Sequence, residues 1–175
     1  MSVALYNNIR FNWPMHLVLL LTNWLPDNVL FMRLRGKLAS FFFKSCGKNL
    51  RIGRNNVFYN SGNIIFGRDI YIAYGNWFCA STTIAVDDEV FFGPGSIIVS
   101  GSHTRNNGSY RFGPNTVDPI RIGFGSWVGG GCAVLAGSDI GRGTVIGANT
   151  VVRGKVPDNC LYAGNPGGIK KTYHE

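Results

Sequence analysis

From residue 122 onward, aliphatic side chains fall on an unbroken six-residue beat: Ile122, Val128, Val134, Ile140, Ile146 and Val152. Gly follows four of them. The position four residues after each is small or β-branched: Ser126, Cys132, Ser138, Thr144, Thr150 and Val156. A beat of six matches neither a helix turn of about 3.6 residues nor the alternation of a plain strand. It predicts short strands joined by tight turns, three to a coil of about eighteen residues. The aliphatic residue points inward, and Gly supplies turn conformations that a Cβ would oppose. The same beat runs upstream through Phe66, Ile72 and Phe78, then, after a slip of two residues, through Val86, Phe92 and Ile98. A partial start is visible at Ile52 and Phe58. The pattern predicts an all-β, parallel β-helix of about five coils over residues 50–160, closed by a segment at 161–175. Between 102 and 120 the beat stops. The stretch Ser102-His103-Thr104-Arg105-Asn106-Asn107-Gly108-Ser109-Tyr110-Arg111-Phe112-Gly113-Pro114 is polar and too irregular for a coil. A protruding loop of that length inside a compact domain is usually functional.

Residues 1–49 show no six-residue beat. Phe11, Trp13, the run Leu17 to Leu21, Trp24, Leu30-Phe31-Met32 and Phe41-Phe42-Phe43 are interrupted by Pro14 and Pro26. Two short helices at about 14–23 and 26–44 fit, each with Pro near its first turn. No stretch reaches the roughly 20 apolar residues of a membrane-spanning helix. Charge changes the picture here. Residues 1–54 carry eight basic side chains (Arg10, Arg33, Arg35, Lys37, Lys44, Lys48, Arg51 and Arg54) against one acid, Asp27, whereas the remainder is nearly neutral. Two readings of residues 1–48 stand open: peripheral membrane association with anionic lipid, or packing against the main domain or a neighbouring subunit. No nucleic-acid-binding module is visible, so no nucleic-acid partner is expected.

With 45% hydrophobic and 15% charged residues, the chain is not a disordered polyelectrolyte. Gly is abundant, 24 of 175, without a G-X-Y period, so collagen is excluded. Cys46, Cys79, Cys132 and Cys160 are isolated, with no C-x-x-C pair, which argues against a zinc ribbon and for reduced thiols. No signal peptide with a small-residue cleavage site is seen, so the expected location is cytoplasmic or peripheral at the inner face of the cell membrane.

The hexads, the loop opening at Gly-Ser-His (101–103), Gly-Ser-Trp-Val-Gly-Gly-Gly (125–131) and Tyr-Ala-Gly-Asn-Pro (162–166) together resemble the hexapeptide-repeat acyltransferases. Within them the chain is similar to the sugar O-acetyltransferases, including the maltose and galactoside enzymes and those of capsule, exopolysaccharide and O-antigen. The resemblance covers about residues 50–172. It implies a left-handed β-helix, a homotrimer with active sites between neighbouring prisms, and acetyl-CoA as co-substrate with no metal. It puts the catalytic histidine on His103, the family tryptophan on Trp127 and the oxyanion-side amide on Gly130. The pantetheine arm falls along Gly129 to Gly131 and Ala148-Asn149. The terminal motif falls on Ala163 to Pro166, including Asn165, with Lys170 and Lys171 toward the coenzyme phosphates. Asn76, Arg105 and Arg111 are the candidate acceptor contacts.

Those residue types suit the chemistry. A sugar hydroxyl attacks a thioester well only as a base removes its proton, and an imidazole can take that proton and return it to the leaving thiolate. The tetrahedral oxyanion needs a fixed N–H, which glycine backbone can bring close. Cys132, at a small-residue hexad position, reads as packing. The chain departs from the galactoside-type pattern at Tyr59, Ala73 and Ser81, which points away from a simple galactoside or maltose, and its basic, aromatic N-terminus resembles the front end of polysaccharide O-acetyltransferases, which implies a bacterial surface saccharide or its lipid-linked precursor. The alternatives are an N-acyltransferase acting on an amino-sugar nucleotide and a non-catalytic β-helix scaffold. A zinc-dependent β-helix carbonic anhydrase fails on ligands, because His16 and His174 lie outside the coils.

Overall fold

A computed structural model of the chain describes residues 2–174; Met1 and Glu175, the ends of the expected terminal segments, lie outside the described residues. Three parallel sheets wrap one interior. The first stacks Ser45–Cys46, Ile64–Phe66, Ile84–Val86, Ile120–Ile122, Asp139–Ile140 and Lys155–Val156. The second stacks Arg51–Ile52, Tyr71–Ile72, Phe91–Phe92, Trp127–Val128, Val145–Ile146 and Cys160–Ala163, with Gly168–Thr172 added antiparallel as the closing strand. The third stacks Val57–Tyr59, Trp77–Cys79, Ile97–Val99, Ala133–Val134 and Val151–Val152. The chain is thus a left-handed β-helix of about six coils rather than five. The first coil's opening strand at Ser45–Cys46 is hidden in the sequence behind the Phe41–Phe43 run that resembled the end of a helix, and the coil added to the expected five is the last, Lys155–Val156 with Cys160–Ala163.

Every residue on the six-residue beat points inward and is buried, including Ile52 and Phe58 at the partial start. Partners on adjacent coils are twenty residues apart early on (Phe58 with Phe78, Phe66 with Val86) and eighteen later (Ile122 with Ile140, Val134 with Val152). The slip of two is therefore a real difference in coil length. Its residues sit at the corner leading from the third sheet back to the first, and at the same corner one coil earlier Asn60 is left-handed (φ 56°) and Ser61–Asn63 makes a 3-10 turn. Rings fill the wider coils: Phe43, Phe58, Phe66, Phe78 and Phe92 pack edge-on or stacked in an unbroken series.

The N-terminal segment caps the open end of the solenoid. Helices α1 (Val3–Asn7) and α2 (Trp13–Thr22) are joined through a π-helical turn at Asn8–Asn12, so the helical path starts well before the expected residue 14. Pro14 has no N–H for an α-helical bond and would crowd the carbonyl four residues back, and the wider π turn accommodates both. Helix α3 (Val29–Ala39) starts where the Asn28 side chain accepts from the Phe31 N–H at 3.0 Å. Met15, Leu19, Ala39, Phe43 and Leu50 belong to the same buried cluster as the coil interior. Arg35 is fully buried in this junction. It donates to the carbonyls of Thr22 at 3.0 Å, Leu25 at 3.2 Å and Ile52, and to Asp27 Oδ1 at 3.2 Å. Burial lowers the Arg35 guanidinium from its usual range, opposed by the Asp27 carboxylate.

Candidate active site

The irregular stretch after the third coil is a β-hairpin arm. Gly101–His103 pairs antiparallel with Asn115–Val117, His103 opposite Asn115. At the tip, Asn106 and Ser109 exchange backbone hydrogen bonds of 2.8 and 2.9 Å around Asn107 (φ 47°) and Gly108 (φ 84°). Two successive left-handed residues define the type I′ turn that Asn-Gly favours. The root is fixed to the solenoid. Ser100 Oγ accepts from the Thr82 N–H and donates to the Thr82 carbonyl, both at 3.0 Å, and the Asp118 N–H donates to the Ser100 carbonyl at 3.0 Å. His103 is exposed at the base of the arm, just outside the corner between the third and first sheets. Arg105 and Arg111 lie along the arm, exposed, with Arg111 resting over the Phe112 ring at 5.4 Å.

A second group of expected residues gathers at the corner between the second and third sheets. Gly129 to Gly131, Ala148-Asn149 and Gly164 to Pro166 occupy this corner on three successive coils. The Asn149 N–H donates to the Gly130 carbonyl at 2.9 Å, and the Val151 N–H to the Gly164 carbonyl at 3.2 Å. A Cβ on Gly129 would sit 2.7 Å from the Ile146 carbonyl oxygen, so this glycine serves close stacking of coils, whereas Gly131 (φ 67°) makes the left-handed turn. That division corrects the expectation that Gly after each inward aliphatic residue supplies turn conformation. Among the described residues, the Gly130 N–H donates to no backbone carbonyl, so a donor stands free on the ridge. Trp127 precedes the corner on the outer face of the second sheet, half exposed and edge-on to Phe91 at 6.1 Å.

The two C-terminal lysines separate. In the closing strand Leu161 pairs with Lys171 and Tyr162 with Ile169, which leaves Lys170 as the bulged residue. A bulge re-aims its side chain, and the Lys170 ammonium lies beside Gly164 at the end of the ridge. Lys171 turns away and places its ammonium over the Tyr173 ring at 5.1 Å.

Asn76 must be withdrawn as an acceptor contact. It is buried in the same corner, where its Oδ1 accepts from the Ser96 N–H at 2.9 Å and its Nδ2 donates to the Ala73 carbonyl at 2.9 Å. Asn56 and Ser96 make the same kind of contact one coil to either side, and Cys132 follows in the ladder through its N–H to Ser96 Oγ at 3.0 Å. Burial raises the Cys132 thiol, which fits its packing role. His103 and Gly130 stand on different corners of the solenoid, the first between the third and first sheets and the second between the second and third. No group of three metal-ligating side chains is clustered among the described residues.

Sequence reasoning missed three features of this region. The hairpin was signalled by Asn107-Gly108 and the ladder by the recurrence of Asn56, Asn76 and Ser96 every twenty residues. The bulge at Lys170 has no comparable signal.

Residues 119–154 match the model of the bacterial transferase hexapeptide (six repeats). A galactoside O-acetyltransferase of Lactococcus lactis is 30% identical over 79% of this chain and 68% of its own length. The putative lipopolysaccharide biosynthesis O-acetyl transferase WbbJ of Escherichia coli is 30% identical over 78% of this chain and 84% of its own. Several other relatives are matched over less of their length: 43% of a probable acetyltransferase from Mycobacterium tuberculosis, and 55% and 57% of two putative acetyltransferases from fission and budding yeast. In fold, a galactoside acetyltransferase solved in complex with coenzyme A superposes with a TM-score of 0.84 over 99% of this chain and 84% of that one, at 24% identity. The beat, the coils and these relatives agree: the chain belongs to the hexapeptide-repeat acetyltransferase family.

Proposed function

We propose that the protein is an acetyl-CoA-dependent O-acetyltransferase acting on a hydroxyl of a bacterial surface saccharide or its lipid-linked precursor. The observation that carries this reading is the glycine ridge at Gly129–Gly131, Ala148-Asn149 and Gly164-Asn165, with the free Gly130 N–H at one point and the Lys170 ammonium at its end. A thioester carbonyl facing Gly130 would find its oxyanion donor there, and coenzyme phosphates would meet Lys170. His103 is the general base. It takes the proton of the acceptor hydroxyl as the new C–O bond forms, and the proton passes to the thiolate sulfur as the C–S bond breaks. The lactococcal and Escherichia coli relatives, both O-acetyltransferases by name, favour a hydroxyl acceptor.

The separate corners of His103 and Gly130 call for a neighbouring subunit, and we read the assembly as a homotrimer. The outward column of the third sheet, Val57, Trp77, Ile97, Ala133 and Val151, is wholly apolar, and on the second Tyr71, Phe91, Trp127, Val145 and Leu161 follow a single charged member, Arg51. On the first sheet, Arg121 instead bridges Asp87 at 2.7 Å and Asp139 at 3.7 Å. One apolar face, one apolar beyond its first strand and one charged face suit a prism flanked by two copies.

The test follows labelled acetyl from acetyl-CoA into oligosaccharides, lipid-linked glycans and amino-sugar nucleotides, with wild type beside His103→Ala. Transfer to a hydroxyl acceptor that falls about a hundredfold or more in the variant supports the reading. Equal transfer by both removes His103 as base, and transfer only to amino sugars replaces the proposal with an N-acyltransferase.

A further inference from the structure

The helical cap has two apolar sides. On α2 the buried residues Met15, Leu19 and Thr22 face the solenoid. Leu17, Leu20 and Leu21 follow Trp13 at helical spacings of four, seven and eight, which puts all four on the opposite side, and Trp24, in the turn past the helix end, joins Leu21 by donating its indole N–H to the Leu21 carbonyl at 2.8 Å. They are exposed, Trp24 to 76% and Leu20 to 62%. Helix α3 repeats the arrangement. Met32, Arg35, Gly36 and Ala39 are buried, while Leu30, Leu34, Leu38 and Phe41 form the outer stripe, with Leu30 70% and Phe41 63% exposed. Both stripes therefore face away from the solenoid end.

Cations frame them. Of the basic residues in the cap and first coil, Arg35 and Arg54 engage the one acid, Asp27, which leaves Arg10, Arg33, Lys37, Lys44, Lys48 and Arg51 without a carboxylate among the described residues. Three of these, Arg33, Lys37 and Lys48, line a groove of about 440 Å³ between α3 and the first coil; its floor includes Gly36 and Leu50, and no acid lines it.

We propose that the cap docks on an anionic lipid bilayer, with Trp13, Leu20 and Trp24 entering the headgroup region and Arg33, Lys37 and Lys48 holding a lipid phosphate in the groove. Aromatic and aliphatic groups surrounded by Arg and Lys are the composition that an interfacial helix needs, and neither part alone anchors well. A second copy of the chain fits poorly, since the face would set its unpaired cations against their own equivalents. No helix of the described residues is long and apolar enough to cross a membrane, so the contact is one of surface docking. The hairpin arm leaves after the third coil, two coil steps or roughly 10 Å above the first. A glycan still attached to its lipid would then lie within reach of His103. That last step rests on the acyl-transfer reading; the docking does not.

The test is flotation of the full chain with phosphatidylcholine vesicles, alone or carrying about 30 mol% phosphatidylglycerol. The expected result is flotation with the anionic vesicles, falling tenfold or more with neutral ones. Two variants should each lose it to a similar extent: R33E/K37E/K48E and L20S/W24S. All five positions are exposed, and unchanged circular dichroism melting confirms that each variant is folded. Failure of the wild type to float, equal flotation on neutral vesicles, or full flotation of either folded variant overturns the proposal. So does sedimentation showing that L20S/W24S abolishes self-association instead.

Discussion

Replacing Arg35 with Met should detach the helical cap energetically from the coils. The guanidinium lies at full burial between two helices and the first coil, donating to the carbonyls of Thr22, Leu25 and Ile52 besides pairing with Asp27, and the Thr22 carbonyl also accepts from the Leu25 N–H at 3.1 Å. Met keeps most of the stem volume, so the loss is chiefly polar. Thr22, Leu25 and Ile52 lose a charged donor, and Asp27 keeps only Arg54, through its N–H at 2.9 Å and its side chain at 3.6 Å. Removing one partner of a buried ion pair typically costs about 3–5 kcal/mol. Against a total stability of about 5–15 kcal/mol for a domain, that is a large share. Urea unfolding should be compared at one fixed protomer concentration, because assembly contributes to apparent stability. Hydrogen exchange should place the new openings in α2 and α3 rather than in the later coils. A double-mutant cycle with Asp27→Asn should return a coupling of about 0.5–3 kcal/mol. If Arg35→Met stays within about 1 kcal/mol of wild type, the carbonyls find water on their own and the junction does not depend on the guanidinium.

Three further outcomes are expected. Lys170→Ala should raise KM for acetyl-CoA about tenfold with little change in kcat, whereas Lys171→Ala should change it less than about threefold; steady-state kinetics at saturating acceptor separates them. Replacing Asn107-Gly108 by Ala-Ala removes the residues that adopt left-handed turn conformation easily, and kcat should fall several-fold while the melting temperature moves by only a few degrees. Burial pushes the Cys46 thiol up to about 11, so alkylation at pH 8 should be slow in the native protein and fast after denaturation, as peptide mass spectrometry can follow. The same shift fixes a sign: the unfolded thiol ionises first, so this group's contribution makes stability fall as pH rises from about 9 toward 11.

The coil interior was legible because one physical demand, an inward side chain on each short strand, repeats along the chain. Ile52 and Phe58, weak as a start, were true members. The first strand of that coil, at Ser45–Cys46, was not legible, since Phe41 to Phe43 satisfy a helical and a β-helical interior equally well before tertiary contacts decide. Asn76 was misread for a related reason. A polar residue near a site suggests recognition, but an inward corner must also pair its backbone N–H groups, and that local need is filled by Asn56, Asn76 and Ser96. Lys170 could be singled out from Lys171 only once the strand was paired, because what distinguishes the two is a register shift set by pairing with residues some ten positions earlier.

Coils of twenty and of eighteen residues enclose different cross-sections, so the two halves of the solenoid are not interchangeable building blocks. The wide half is sized for phenyl rings and the narrow half for Val and Ile; a coil moved from one to the other would arrive two residues out of step. The hairpin emerges at the junction, and Val86 still pairs with Ile122 in register across it. Lengthening the arm therefore leaves every strand partner unchanged, whereas duplicating one narrow coil beyond it adds new partners at the same eighteen-residue register. Growth of this protein, by evolution or by design, has one natural seam, and the proposed catalytic histidine stands at that seam.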